Sequence, residues 1–344
     1  MSASAASTRM FAEAAQAPAL IAAQLAANEP RVRELAQLLR TRPPRAVVTC
    51  ARGSSDNAAT FARYLIETRL GVLTSSAAPS VSSVYAAAPD VSDSLLLAIS
   101  QSGASPDLLA VVERARAGGA RIVTLVNAAD APLARRADEL IPLAAGPEYS
   151  VAATKSFLAS LSALVQLIAA WGEDAELARA LAQAPRQLEQ AWAADWSAAL
   201  PTLIDATSLY VIGRGPGLAI AQEAALKFKE TCGLHAEALS AAELRHGPMA
   251  LVRAGFPLLL FAQHDESHPG IEQLAGELTA QGASVLLAGA RLAGTVTLPA
   301  ITAHPVIEPL LLAQSFYRLA NALALARGHD PDRPPHLNKV TETR

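Results

Sequence analysis

The sequence predicts an α/β protein built from two tandem domains, each a doubly wound parallel sheet covered by helices. Three observations support this fold class. Of the 344 residues, 51% are hydrophobic and only 4% are aromatic, which favours an interior of Ala, Leu, Val and Ile, as in α/β proteins. Short apolar runs alternate with helical patterns along the chain. The order of these runs then repeats once, and the chain is long enough for two domains.

The repeat has an offset of about 162 residues, which is far longer than a solenoid unit and indicates a duplicated domain. Each copy contains β-prone apolar runs in the same order, and the first run of each copy ends in an Arg-Gly turn. The paired runs are 46–53 with 208–215, 95–100 with 257–262, and 119–126 with 282–289. We predict an N-terminal helical arm at 1–34, a first domain at 35–190, a second domain at 191–334, and a tail at 335–344 that closes the site.

Helical patterns lie between the apolar runs, as at Asp107 to Ala117 and at Ile271 to Ala280. Continuously apolar strands separated by helices are typical of a parallel sheet that is buried on both faces. Ligands of such sheets bind beyond the carboxyl ends of the strands. The turns after Cys50, Ile99 and Ile212 are therefore where a site is expected.

Charge and apolar content argue against several classes of partner. A net charge of −3 without a Lys/Arg run gives no electrostatic footprint for nucleic acid or for an anionic membrane. The N-terminus lacks the continuous apolar segment of a secretory signal. The apolar stretch from Phe157 to Trp171 is too short to span a bilayer and is predicted to be a core helix. Cys50 and Cys232 form no disulfide framework, so a reducing, cytoplasmic location is expected.

Two turns carry the pattern of a phosphate site. In Ser100-Gln-Ser-Gly-Ala-Ser-Pro-Asp107, Ser105 is placed as an N-cap and Pro106 as the first helical residue. Backbone N–H groups at a helix start, with the helix dipole and nearby hydroxyls, favour an anion. Gly53-Ser54-Ser55-Asp56 repeats this design after the first strand. The two turns could hold one phosphate, although Ser/Gly turns that merely cap helices remain the alternative.

The same turns exclude two kinds of nucleotide site. The chain has no Gly-x-x-x-x-Gly-Lys-Ser/Thr, so a nucleoside triphosphate is not expected, and a sugar or sugar acid phosphate remains. The glycine-rich segment 213–217 resembles a dinucleotide fingerprint, but Leu218 stands where the third glycine belongs. No nicotinamide cofactor is therefore expected.

A charged stripe is predicted on the helix from Ala219 to Glu230. Glu223, Lys227 and Glu230 share one face because they are spaced by four and three residues. An exposed, salt-bridged face is the ordinary explanation of such a stripe. Most other positions of this helix are apolar, however, so we expect an enclosed helix whose charged stripe lines a cleft.

Histidines and carboxylates are frequent downstream, but they do not predict a metal site. His235 could be a satisfied structural histidine. The segment from His264 to His268 lies in a loop and lacks the His-Glu-x-x-His spacing of a helical zinc site. No metal is expected.

Six motifs in order resemble the tandem sugar-isomerase (SIS) domains of the glucosamine-6-phosphate synthase family. The resemblance covers nearly the whole chain from about residue 35 and implies two flavodoxin-like domains. The motifs are Ser100-Gln-Ser-Gly103, Val151-Ala-Ala-Thr-Lys155, Ala225-Leu-Lys-Phe-Lys-Glu230, His235-Ala-Glu237, Glu243-Leu-Arg-His-Gly-Pro248 and Asp332-Arg-Pro-Pro-His-Leu-Asn-Lys339. The glutaminase domain of that family is missing here, so we do not expect synthesis with ammonia from glutamine.

Five segments resemble the isomerase-type glucosamine-6-phosphate deaminases more closely. They are 52–56, 78–85, 105–107, 151–156 and the ending from 330 to 341. That resemblance implies isomerisation of an amino-sugar 6-phosphate, with hydrolysis of the imine to fructose 6-phosphate and ammonia. It implies neither a redox cofactor nor a metal.

The resemblance also implies a role for each site residue. Glu230 corresponds to the base that shuttles a proton between C1 and C2, and His246 to the residue that opens the pyranose ring. Lys227 and Lys339 complete the predicted catalytic set, the latter on the closing tail. The predicted substrate-binding residues are Gly53, Ser54, Ser55, Ser100, Gln101, Ser102, Ser105, Val151, Ala152 and Glu223. Val151 and Ala152 would present backbone to the sugar.

Several functions remain open at the level of sequence. The resemblance implies a homodimer with the site at the subunit interface, but not which epimer is the substrate. A galactosamine-6-phosphate deaminase, a fructosamine-6-phosphate deglycase and an ammonia-dependent synthase would all keep these turns and a proton-transfer carboxylate. A sugar-phosphate sensor without turnover is the alternative outside the enzymes.

Overall fold

The computed structural model describes residues 5–339, and it divides them into two compact units. Each unit is assembled from separate stretches of the chain. The first-sheet unit comprises 19–148, 156–182 and 338–339, and the second-sheet unit comprises 5–18, 149–155 and 183–337. The first four residues of the predicted arm and residues 340–344 of the predicted tail lie outside the described residues.

The first-sheet unit contains a five-stranded sheet in the order β2-β1-β3-β4-β5, and all neighbouring strands are parallel. Its strands are β1 (Val47–Cys50), β2 (Thr74–Ser76), β3 (Leu95–Ser100), β4 (Arg121–Val126) and β5 (Glu139–Pro142). The helices up to residue 193 are α1 (Arg9–Ala14), α2 (Ala17–Thr41), α3 (Ser54–Leu65), α4 (Pro79–Ser83), α5 (Pro106–Ala117), α6 (Pro132–Arg135), α7 (Lys155–Trp171) and α8 (Ala175–Ala193).

The second-sheet unit contains another parallel sheet, in the order β10-β9-β8-β6-β7. Its strands are β6 (Ser208–Gly213), β7 (His235–Ser240), β8 (Pro257–Phe261), β9 (Ser284–Ala288) and β10 (Val296–Leu298). The remaining helices are α9 (Leu200–Leu203), α10 (Gly217–Cys232), α11 (His268–Ala280) and α12 (Glu308–Ala326).

The two sheets have the same strand order when each is numbered from its own first strand, namely 2-1-3-4-5. The three pairs of repeated runs form β1 and β6, β3 and β8, and β4 and β9. The predicted helices lie within α5, α7, α10 and α11. The prediction of two duplicated, doubly wound parallel sheets is therefore confirmed.

Aliphatic side chains form the core of each unit, as the low aromatic content predicted. In the first-sheet unit, Leu96 and Ile122 pack with Leu108 and Val112 of α5. The second-sheet unit has the equivalent cluster of Leu258, Leu260 and Val285 with Leu274 and Leu278 of α11. Each fully buried side chain of this size stabilises the fold by ~1.5–3 kcal/mol.

Helix α1 is joined to the end of the second-sheet unit through its first residues. The Thr8 hydroxyl accepts a hydrogen bond from the backbone of Phe11 as an N-cap, and it donates one to Asn321 of α12 at 2.6 Å. The Asp332 carboxylate accepts the N–H groups of Arg9 and Met10, each at 2.8 Å. A carboxylate at a helix start complements the positive end of the helix dipole.

Within residues 5–339, no helix combines the length and the apolar character that a bilayer span requires. Both cysteines are free and fully buried. Burial is the main cause that raises the pKa of the Cys50 thiol to about 12 and that of Cys232 to about 11. Both thiols are therefore protonated near neutral pH.

Candidate functional site

The predicted phosphate turns flank the point where the strand order of the first sheet reverses. Strands β1 and β3 are neighbours, and the chain leads from them to opposite edges of the sheet. Ligands of doubly wound sheets bind at this switch point, outside the carboxyl ends of the strands. The topology therefore brings the turn after β1 next to the turn after β3.

The turn after β1 depends on the conformation of Gly53. This residue has φ +55 and ψ −132 and precedes the first residue of α3, Ser54. An added Cβ would meet no neighbour within 4 Å, so backbone conformation rather than space favours glycine. Ser54 and Ser55 are both half-buried at the start of the helix. Their hydroxyls thus lie at the carboxyl end of β1.

The turn after β3 is held by its own serine and glycine. The Ser100 hydroxyl accepts the Gly103 N–H at 3.0 Å, and Gly103 has φ +62. A Cβ at Gly103 would lie 2.7 Å from the Ala131 Cβ, so both space and conformation require glycine. Gln101 and Ser102 are half-buried between them. The result is a tight turn that presents polar side chains.

Ser105 occupies the N-cap position of α5, and Pro106 is the first helical residue, as predicted. The Ser105 side chain makes no capping hydrogen bond, and it is half-buried. Its hydroxyl is therefore not consumed in stabilising the helix start, in contrast to an ordinary serine cap.

An ion pair that the sequence did not predict joins the two turns. Arg52 donates from Nε at 2.8 Å and from Nη2 at 2.7 Å to one carboxylate oxygen of Asp107. The other oxygen accepts the Leu108 N–H at 2.8 Å. Asp107 has no exposed side-chain surface, whereas Arg52 is 51% exposed. Arg52 thus neutralises a buried carboxylate at the start of α5.

Lys339 lies against another carboxylate of the first-sheet unit. Its Nζ is 3.3 Å from Oε2 of Glu148, which is fully buried. The same carboxylate accepts the Ser156 hydroxyl at 2.6 Å and the Ser156 N–H at 3.2 Å. Sequence reasoning missed Glu148, and its only signal was its place just before the motif that starts at Val151.

Val151 and Ala152 belong to the second-sheet unit, where their backbone makes contacts within the chain. The Val151 N–H donates to the Asp332 carbonyl at 3.3 Å. The Ala152 carbonyl accepts the Ser150 hydroxyl at 3.2 Å. Glu13 accepts the N–H and the hydroxyl of Ser150. This segment is therefore fixed in place, and its contact with a sugar stays a prediction.

The charged stripe of α10 is enclosed, as expected from the apolar positions around it. Nζ of Lys227 is 2.5 Å from Oε2 of Glu230 and 3.5 Å from Oε1 of Glu223. The side chains of Lys227 and Glu223 are each only 1% exposed, whereas Glu230 is 21% exposed. Tyr317 of α12, which sequence reasoning missed, donates its hydroxyl to Oε1 of Glu223 at 3.0 Å. Of these four side chains, only Glu230 reaches solvent to a substantial extent.

The switch point of the second sheet, between β6 and β8, is filled by Gln263. This side chain is buried and donates from Nε2 to the Arg214 carbonyl at 2.7 Å. A Cβ at Gly217 would lie 2.3 Å from the Gln263 amide oxygen, and one at Gly213 would lie 2.3 Å from the Gly217 carbonyl. The glycines of segment 213–217 therefore permit close packing between this turn and Gln263.

His246 lies on the surface of the second-sheet unit, after the short 3₁₀ turn Glu243–Arg245. Its N–H donates to the Glu243 carbonyl at 2.9 Å. Within the described part of the chain, no hydrogen bond joins its imidazole to Glu230. His235 begins the edge strand β7 and is exposed.

The histidines between residues 264 and 268 contact carboxylates and each other. Nδ1 of His264 is 3.0 Å from Glu308, and the rings of His264 and His268 stack at 4.5 Å. Nε2 of His268 is 3.6 Å from Glu272. Across residues 5–339, no three His, Cys, Asp or Glu side chains are grouped so that they could hold a metal ion.

Residues 42–170 and 202–288 match the SIS domain model, so the chain belongs to the SIS domain family. Among curated relatives, it is similar to a glutamine–fructose-6-phosphate aminotransferase (isomerizing) of Aeropyrum pernix. The two are 38% identical over 308 residues, which is 84% of this chain and 49% of that protein. The chain thus spans about half the length of the curated relatives it matches.

Two solved structures show how far the likeness extends. A candidate phosphosugar isomerase from Silicibacter pomeroyi is 42% identical, with a TM-score of 0.91 over 94% of this chain and all of that one. A glucosamine-6-phosphate deaminase from Thermotoga maritima has a TM-score of 0.73 over 94% of this chain and 99% of that one, but only 22% identity. The likeness to the deaminase is therefore one of fold. The aminotransferase has the higher sequence identity to this chain, 38% against 22%.

Proposed function

We propose that this protein is a phosphosugar isomerase that acts as a glucosamine-6-phosphate deaminase. The observation that carries the proposal is the stripe on α10, in which a buried ammonium holds one partly exposed carboxylate, Glu230. Such a carboxylate suits the transfer of a proton between adjacent carbons of a sugar. The SIS family and the phosphate turns support a sugar phosphate as the substrate.

The phosphate of the substrate would be bound at the switch point of the first sheet. The hydroxyls of Ser54, Ser55, Ser102 and Ser105 supply donors there, together with the starts of α3 and α5. Arg52 supports this assignment because it offsets the negative charge of Asp107 beside the turns. A dianion would otherwise meet a buried carboxylate of the same sign.

In the proposed reaction, Glu230 removes the proton from C2 of the open-chain amino sugar and returns a proton to C1. A second proton passes from the amino nitrogen to O1, so that the C2–N bond becomes an imine and the C1 aldehyde becomes a hydroxymethyl group. Water then hydrolyses the imine to fructose 6-phosphate and ammonia. Lys227 would keep Glu230 oriented, and this pairing is supported by their 2.5 Å separation.

The remaining assignments rest on the family resemblance. His246 would open the pyranose ring, and its exposed position is compatible with action in a neighbouring subunit of a homodimer. Lys339 would act from the closing tail, and Val151 and Ala152 would face the sugar. The division into a first domain at 35–190 and a second domain at 191–334 also stays a proposal.

Formation of the amino sugar from fructose 6-phosphate and ammonia is a second candidate. It is favoured by the 38% identity to an aminotransferase, which is named for the corresponding sugar phosphate. It uses the same proton transfer in the reverse direction. Activity on galactosamine 6-phosphate or fructosamine 6-phosphate would need the same turns and carboxylate, whereas a sensor that binds without turnover would need only the turns.

A single panel separates these possibilities. Purified protein is incubated with glucosamine 6-phosphate, galactosamine 6-phosphate, fructosamine 6-phosphate and unphosphorylated glucosamine, and released ammonia is measured. A parallel reaction follows amino-sugar formation from fructose 6-phosphate and ammonium. The proposal expects the fastest ammonia release from glucosamine 6-phosphate. Saturable binding without turnover in either direction would contradict it and identify a sensor.

A further inference from the structure

The inner end of the charged stripe has no direct route to a ligand. Lys227 and Glu223 are each only 1% exposed, and Tyr317 is equally buried. Their contacts form a chain from the Tyr317 hydroxyl to Glu223, from Glu223 to Lys227, and from Lys227 to Glu230. The predicted role of Glu223 as a substrate-binding residue does not suit a side chain in this position.

The burial of Lys227 and Glu223 makes their charges depend on each other. A buried ammonium is costly unless a carboxylate compensates it. Glu223 and Glu230 both contact Lys227, but Glu230 is 21% exposed. Glu223 is therefore the partner that remains out of solvent when a substrate displaces or protonates Glu230. With Glu223 in place, Lys227 keeps a counter-charge throughout the reaction.

Tyr317 fixes the orientation of Glu223. Its hydroxyl donates to Oε1, the same oxygen that lies 3.5 Å from Lys227. A donor on this oxygen restricts the rotation of the carboxylate. Tyr317 belongs to α12 and the stripe to α10, so the hydrogen bond also sets the stripe against a second helix.

We propose that Tyr317 and Glu223 are positioning residues that act in series on Glu230 through Lys227. This inference rests on the proposed function, because it assumes that Glu230 transfers the proton. Because both side chains are almost fully buried, this proposal places neither of them against the sugar. Their loss therefore slows turnover without weakening substrate binding.

The first test compares Tyr317→Phe with Ser315→Ala. Both variants remove a buried hydroxyl from α12, but the Ser315 hydroxyl donates to the Ala191 carbonyl at 2.8 Å, away from the stripe. We expect Tyr317→Phe to lower kcat roughly tenfold with KM unchanged, as for one lost hydrogen bond to a charged group. Ser315→Ala should lower the melting temperature to a similar extent but leave kcat unchanged.

The second test asks whether the two residues act in series. Glu223→Gln should lower kcat more than Tyr317→Phe, since it removes the buried one of the two carboxylates that contact Lys227. The double variant should then be no slower than Glu223→Gln alone, because the proposed effect of the tyrosine on Glu230 passes through Glu223. Independent, multiplying losses would overturn the serial role.

The outcomes distinguish the inference from the proposed function. If the wild-type protein turns over a sugar phosphate while Tyr317→Phe keeps its kcat, the inference is wrong and the function stands. Equal kcat losses in Tyr317→Phe and Ser315→Ala would also overturn the inference, because a general loss of packing would then explain both. Absence of wild-type turnover on the whole panel overturns the proposed function and, with it, the positioning role.

Discussion

The two sheets share one strand order, but the turns at their switch points differ in the side chains they carry. In the first sheet, the turns after β1 and β3 present serine hydroxyls, and Gly103 keeps the second turn tight. In the second sheet, the equivalent space is occupied by the amide of Gln263, which binds the Arg214 carbonyl. Strand order therefore locates a possible site, and the residues of the turns decide whether a ligand can enter it.

In the second-sheet unit, the buried charged stripe lies along α10. Glu230 is almost at the end of this helix and not at the turn that begins it. We infer that the two copies divide the chemistry, with anion binding at a switch point in one and proton transfer on a helix in the other. The following predictions test this division.

The largest effect is expected at Glu230. Glu230→Gln keeps the shape of the side chain but removes the base, so kcat should fall by roughly two to four decades with KM little changed. Glu272→Gln provides the control, since Glu272 is an exposed carboxylate on α11 of the same unit. Turnover by Glu230→Gln within a few-fold of wild type would remove α10 from the mechanism.

Arg52 should have the next largest effect, because its loss removes a cation that contacts the Asp107 carboxylate beside the predicted phosphate turns. We expect Arg52→Gln to raise KM for phosphorylated sugars about tenfold. Adding Asp107→Asn should recover part of this loss, which a steady-state KM measurement would detect. Arg116→Gln is the matched control, since it removes the partly exposed ion pair with Asp138. An equal rise of KM in the control would make the charge argument wrong.

Single hydroxyls should have smaller effects on binding. Ser102→Ala and Ser105→Ala should each raise KM for sugar phosphates about fivefold with kcat unchanged, because a phosphate is held alike in ground and transition states. Ser267→Ala should leave KM unchanged, since the Ser267 hydroxyl accepts a hydrogen bond from Gln263 at the second switch point. Activity on unphosphorylated glucosamine equal to that on its 6-phosphate would show that the first switch point holds no phosphate.

The smallest expected effect is on stability. It is tested by comparing the two buried thiols, Cys50 and Cys232. Burial is the main cause that raises the pKa of Cys50 to about 12, with a further contribution from the Asp107 charge. The unfolded thiol ionises near pH 9, so the stabilisation is complete below that pH and is lost as the pH rises toward 12. Between pH 8 and 10, the wild-type free energy of unfolding should fall about 1 kcal/mol more than that of Cys50→Ala. Urea unfolding at both pH values, with Cys232→Ala alongside, measures the difference, and parallel losses in all three proteins would disprove it.

The sequence was informative about the central strands because their patterns are local. Runs such as Leu95–Ser100 are continuously apolar and buried on both faces, and such runs are easily recognised. The edge strand β2 consists of Thr74–Ser76, and β7 begins with exposed His235. Edge strands of this kind lack the apolar signal, so neither segment is predicted to be a strand from its sequence.

The candidate site shows the same limit. The turns with Ser102 and Ser105 were found because their residues are neighbours in sequence. The ion pair of Arg52 with Asp107 spans 55 residues, and the hydrogen bond of Tyr317 with Glu223 spans 94. Pairing across such distances leaves no spacing pattern, and it depends on how the sheet and helices bring the residues together.

The long-range contacts of α1 limit when this helix can pack against the rest of the second-sheet unit. Thr8 bonds a residue 313 positions later, and Met10 bonds Asp332, 322 positions later. During synthesis of the chain, the residues that contact α1 are made only after most of the second-sheet unit. The contacts of α1 with Asn321 and Asp332 cannot form before then. Contacts of such long range slow folding, because a large loop must be closed before they form.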